Sequence, residues 1–303
     1  MPVLLTCAVL ALAQGCATNK FTLESAEAGA ARGDAKALYF LAKQYAKGKG
    51  VAQDAAKAAE YMRQAAEKGH AFAQNDLGAF YANGFGVQQD YAEAAGWYRK
   101  AAVQGDSLAQ LTLGRVYAQG RGVAPDGREA LKWYKEAAKH GQTEALLGIG
   151  EIYLDGREGI PIDCGEARRW FERAVKEGRI EAFNSLGYIC EHGAPSSGIA
   201  MDLQQAVRCY REAADKGDGK GQMNLGRMYL EGLGVDVEPV EAYKWFYLAH
   251  AHGEGISNHY LLELDGTGIQ SMRPLSAEEI AEGKRRAEAW TAAHRAGKAR
   301  ENL

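Results

Sequence analysis

The chain has no surplus of either charge: 36 basic and 39 acidic residues leave a net charge of −3 over 303 residues. That leaves no basic field for nucleic acid and no acidic disordered tract. Cysteine is scarce, five in all, and no two stand in a Cys-x-x-Cys spacing, so neither a zinc ribbon nor a dithiol redox motif is present. Ser-x-x-Lys with Ser-Asp-Asn and Lys-Thr-Gly, Gly-x-Ser-x-Gly and the Walker phosphate loop are all missing. No catalytic residue, metal ligand or cofactor is therefore assigned. His250, His252 and His259 crowd together with Glu254 in HAHGEGISNH. Residues two apart on a helix point away from each other, however, so a polar helix end is expected there rather than a metal site.

One extended apolar run is present, PVLLTCAVLALA at residues 2–13, and it is short for a membrane span. It has the make-up of a secretion signal, and two processing readings stay open. One cuts after Ala13 in Ala11-Leu12-Ala13. The other cuts before Cys16, which then carries lipid; Ala13 and Gly15 before it resemble the lipobox of bacterial lipoproteins. Gln14 departs from that pattern, and no Lys or Arg separates Met1 from the run. The lipoprotein resemblance implies export across the inner membrane and, with Ala17 after the cysteine, an outer-membrane anchor facing the periplasm. Such a compartment permits disulfides among Cys164, Cys190 and Cys209.

The rest of the chain repeats itself. GFGVQQDYAEAAGWYRKAAVQG (84–105) returns as GRGVAPDGREALKWYKEAAKHG (120–141), and closing glycines fall at 33, 69, 105, 141, 178, 217 and 253. A fixed period of about 36 residues decides the architecture. Two longer repeats carry insertions at one turn, REGI (157–160) and APSSGI (194–199). Each repeat opens with a helical stripe such as Ala73, Leu77 and Tyr81, with Gly78 directly after the leucine. That glycine costs about 1 kcal/mol relative to alanine, and close approach of a neighbour is the reason expected for it. Gly-x-Gly-Val then ends the helix, Gly84 taking a left-handed conformation. Asp90 with Glu93, and their equivalents through Asp202 with Gln205, start the second helix as caps; in the sixth repeat Glu238 and Glu241 take this role, with Pro239 at the first helical position. Ala94, Trp97, Tyr98, Ala101 and Ala102 give the second helix a small-plus-aromatic packing face.

These motifs together resemble the Sel1-like repeats, relatives of the tetratricopeptide repeats. The resemblance covers residues 34–253 as six repeats, after a signal at 1–16 and a half-repeat helix at 17–33. Residues 254–303 are expected to form a degenerate half-repeat, a loop and a capping helix from Ser276 to about Ala296. The resemblance implies an all-α fold, an α/α solenoid coiled as a right-handed superhelix, acting as a non-catalytic, monomeric scaffold for a protein partner. An immunity protein against a secreted toxin is the alternative, and a hydrolase of the β-lactamase-labelled kind a lesser one. The position after each Leu-Gly pair varies, and its Lys43, Arg115, Glu151, Tyr188 and Arg227 are the candidate partner-binding residues. Cys190 and Cys209 replace a Tyr and a Trp in the fifth repeat, and so form a candidate disulfide.

Overall fold

The computed structural model describes residues 22–268 and 273–301. The signal segment, Cys16 included, lies outside the described residues. Among those residues there are fifteen α-helices and no strand. After α1 (Leu23–Ala31), the first helices of the six repeats are α2 (Ala35–Lys47), α4 (Ala71–Asn83), α6 (Ser107–Gln119), α8 (Glu144–Asp155), α10 (Ala182–His192) and α12 (Gly219–Glu231). The second helices are α3 (Ala55–Glu67), α5 (Tyr91–Val103), α7 (Gly127–Lys139), α9 (Cys164–Lys176), α11 (Leu203–Asp215) and α13 (Pro239–Ala251). Two more follow, α14 (Ser257–Leu264) and α15 (Ala277–Glu301). By packing, the chain falls into two compact units, one running to Ala109 and including Arg121–Val123, the other comprising Gln110–Gly120 and everything from Ala124 onward.

Aspartate starts five of the second helices. Asp126 accepts from the Arg128 and Glu129 amides at 2.8 and 3.1 Å, and Asp54, Asp90, Asp163 and Asp202 do the same work. Each such cap is worth about 1 kcal/mol. The sixth repeat departs from the expectation: Glu238 stands at the cap position but its side chain makes no cap bond. Glutamate is one methylene longer than the favoured cap residues, and Pro239 at the first position needs no amide partner. Glu241 turns to Lys244 and Arg286 instead. Four of the six first helices have caps of their own, unforeseen in the sequence, supplied by the residue after the closing glycine: Asp34, His70, Asp106 and Asp218.

The glycine inside each first helix makes room for an aromatic ring. A Cβ on Gly150 would stand 2.5 Å from the Phe171 ring, and one on Gly114 the same distance from Tyr134, in each case the ring of the repeat's own second helix. The first repeat changes both partners at once, with Ala42 in place of the glycine and Met62 in place of the ring. The second glycine of Gly-x-Gly has a different task. At Gly234, with φ +71°, a Cβ would lie 2.5 Å from the Leu203 carbonyl oxygen at the start of the preceding repeat's second helix. In the fourth repeat, whose turn carries the first insertion, the close contact changes sides. Arg157 and Ile160 close the first inserted loop with paired backbone bonds, and the Gly127 amide donates to the Glu158 carbonyl at 3.1 Å. A Cβ on Gly127 would come within 2.8 Å of the Arg157 side chain, so the glycine now sits on the helix rather than in the turn.

Alanines such as Ala94, Ala101, Ala137, Ala174 and Ala213 are fully buried where helices meet. In the first unit Leu38, Met62 and Leu77 pack with Tyr81 and Trp97. In the second, Leu146, Phe171 and Ile189 form one cluster, and Tyr210, Leu225, Met228 and Trp245 another. Burying each large side chain contributes roughly 1.5–3 kcal/mol. Buried glutamines tie neighbouring repeats: Gln222 donates to the Ala214 carbonyl at 3.2 Å and faces His252 Nδ1 at 2.8 Å. Gln110 meets His140 in the same way.

Helix α15 starts at the anticipated capping box, with Glu279 accepting from the Ser276 amide at 2.8 Å. It runs five residues past Ala296, to Glu301. Ala287 and Trp290 seal the last cluster, the Trp290 ring meeting Trp245 edge-on at 6.0 Å.

Candidate partner-binding surface

The variable position after each Leu-Gly pair comes ten residues after a closing glycine, on the first helix, and the structure separates the residues grouped there by sequence. In the first unit, Lys43 pairs with Asp76 of the next repeat at 2.8 Å, and the Tyr39 hydroxyl donates to the same carboxylate at 3.0 Å. Burial, then the Asp76 charge, raise the Tyr39 pKa well above the usual phenol range.

In the second unit, Arg115 bonds Glu144 of the next repeat across a largely exposed site. Arg227 reaches back to Glu191, the only one of the five to enter a buried network: its Nη2 lies 2.6 and 2.7 Å from the two carboxylate oxygens, and the Tyr210 hydroxyl donates to Glu191 at 2.8 Å. The Arg227 side chain is 22 % exposed and that of Glu191 9 %. Arg227 therefore holds α12 to α10, its guanidinium engaged by Glu191. Glu191 occupies a position that is Ala46, Ala82, Ala118, Leu154 or Leu230 in the other repeats.

Glu151 and Tyr188 remain open. Tyr188 is 48 % exposed, and its ring packs 4.2 Å from His192, whose Nδ1–H donates to the Tyr188 carbonyl. Glu151 is exposed as well. The protein around its carboxyl, then the Asp155 charge, push its pKa up, while Arg157, Lys220 and Arg115 pull the other way. Lys220 stands on α12 and Arg115 on α6, so the first helices of this unit share one electrostatic face.

Asp76, Glu144 and Glu191 were all missed in the sequence. The signal for Glu191 was there, an acid in a column otherwise Ala or Leu. Asp76 and Glu144 stand in columns too variable to mark them.

Cys190 and Cys209 are free thiols, each 7 % exposed, on α10 and α11. Burial pushes both thiol pKa values up. Among the described residues no group of three or more His, Cys, Asp or Glu is placed to hold a metal ion. No described helix is long and apolar enough to cross a membrane.

Paired helices of constant design, with neighbouring repeats inside each unit joined by glycine contacts, buried glutamines or ion pairs, define an α/α repeat solenoid. The Sel1 repeat profile matches residues 35–70, 71–106, 107–142, 143–178, 181–218 and 219–254, and the chain belongs to the Sel1 repeat family. Among solved structures, c5321, a protective antigen present in uropathogenic Escherichia coli strains, is 32 % identical with a TM-score of 0.69, over 89 % of this chain and 56 % of that one. This chain thus spans little more than half the length of c5321. A Sel1 repeat protein from Oxalobacter formigenes is 31 % identical with a TM-score of 0.63, over 75 % of this chain and 90 % of that one. Comparison with curated proteins gives no match.

Proposed function

We propose that the chain is a non-catalytic scaffold of the bacterial cell envelope, which receives a protein partner on the first-helix face of its second unit. The observation that carries this reading is Tyr188, an aromatic side chain 48 % exposed on α10 where the equivalent Arg227 is held in a buried ion pair. A tyrosine stiffened by a neighbouring ring offers large contact area at little entropic cost and is a common binding hot spot. Glu151 supplies negative charge on the same face. A framework whose neighbouring repeats are already joined inside the unit lowers the ordering cost of association. The envelope location rests on the apolar run at 2–13 and on Cys16. The description of c5321 as a protective antigen supports it.

Affinity capture from envelope extract with the intact chain, then with Tyr188→Ala and Glu151→Lys, tests the surface. We expect each variant to keep its helicity and melting temperature and to bind at least tenfold more weakly, about 1.4 kcal/mol. Wild-type binding by both variants would remove this face from consideration. For the anchor, Cys16→Ser should move the protein from membranes to the soluble fraction, and unchanged fractionation would refute lipidation.

A further inference from the structure

We propose that Cys190 and Cys209 form a reversible thiol–disulfide modification site that clasps the two helices of the fifth repeat. Three observations carry it. Both are buried free thiols on the paired helices of one repeat, Cys190 on α10 and Cys209 on α11. They stand where the fourth repeat has Tyr153 and Trp170, so two small side chains replace a pair of aromatics at facing positions. Cys190 also lines an open groove of about 770 Å³, together with Arg168, Gly198, Ile199, Met201 and Asp202. The groove admits a small oxidant; burial raises the Cys190 thiol pKa, and Arg168 on the groove wall partly offsets it.

The oxidant is a low-molecular-weight disulfide, RS–SR. The Cys190 thiolate attacks one of its sulfurs, breaking the S–S bond and releasing RS⁻. The Cys209 thiolate then attacks Cys190 Sγ, forming the Cys190–Cys209 bond and releasing the second RS⁻. The protein loses two electrons and two protons, and the disulfide is reduced to two thiols. The new bond encloses residues 190–209 and with them the inserted loop 194–199, which the Ala194–Ile199 backbone pair already closes.

The full chain, reduced and then incubated with oxidised glutathione, is the test. Intact mass and non-reducing peptide mapping should show one Cys190–Cys209 bond with no retained glutathione at either residue. Reduction by dithiothreitol should reverse it. Cys209→Ser should instead trap a mixed disulfide at Cys190; should that variant fail to fold, mapping of the unmutated chain decides alone. Closing a loop of about twenty residues should slow opening-limited amide exchange in α10 and α11 on the order of a hundredfold. Two separate glutathione adducts, a bond to Cys164 instead, or both thiols remaining open to maleimide would overturn the proposal. Unchanged exchange in chemically confirmed oxidised protein would overturn the clasp.

Discussion

Replacing Arg227 by methionine keeps a long, flexible apolar stem and removes the guanidinium, leaving Glu191 with the Tyr210 hydroxyl as its one remaining partner in the network. Breaking a buried pair from one side costs about 3–5 kcal/mol, whereas exposed pairs are worth about 0–1 kcal/mol. With side chains 22 % and 9 % exposed, this pair lies nearer the buried limit, and about 2–4 kcal/mol is expected. Arg115→Met is the internal reference: its pair with Glu144 has side chains 43 % and 45 % exposed, and it should cost under about 1 kcal/mol. Urea denaturation followed by circular dichroism measures both. Because repeat arrays unfold in parts, exchange of amides in α10 to α13 should localise the loss. The double variant Glu191→Leu with Arg227→Met should recover most of it, since no charge is left buried without a partner. Equal costs for Arg227→Met and Arg115→Met would refute the claim that burial makes the first pair structural.

Gly234→Ala should destabilise by about 3 kcal/mol or more, combining left-handed strain with a backbone clash, while Gly96→Ala, in a helix with nothing within 4 Å, should stabilise by up to about 1 kcal/mol; thermal melts of the two variants separate a required glycine from an incidental one. Asp126→Ala should cost about 1 kcal/mol in the same assay as a lost cap. His70 caps α4 by accepting the Ala73 amide through Nδ1, which needs a neutral ring. Burial, then the Lys36 charge, lower its pKa below the ordinary 6.5, so its contribution is present above about pH 6.5 and is lost as pH falls through the lowered folded value. Denaturation midpoints at pH 7 and pH 5 should fall on acidification, and His70→Asn, which keeps the cap, should flatten that dependence.

What could be read directly from the residues was everything set by the local backbone: glycines at helix ends, aspartates at helix starts, the alanine faces and the capping box at Ser276. Each answers a demand within a few residues of itself, so one repeat suffices to recognise it. Lys43, Arg115 and Arg227 looked alike because they share a position. What distinguishes them lies 33, 29 and 36 residues away, on the next or preceding repeat. Only the packing of successive first helices shows which of those side chains meets an acid and whether that acid is buried. Tyr188 and Glu151 stand out by elimination, once their neighbours' partners are known.

The glycine that moves from the turn onto the preceding helix at the first insertion has a consequence for shuffling this array. A repeat with a plain turn brings its own glycine and fits behind any neighbour whose helix start bears a side chain. The fourth repeat, with its inserted loop, fits only behind a helix that begins as α7 does, with glycine at its first position. Duplicating that repeat, or moving it elsewhere, would set the loop against a side chain such as that of Tyr91 or Leu203. The modules are thus not interchangeable parts: compatibility has a direction, and the seam between two repeats, rather than the repeat, is what a grafting experiment must transplant whole.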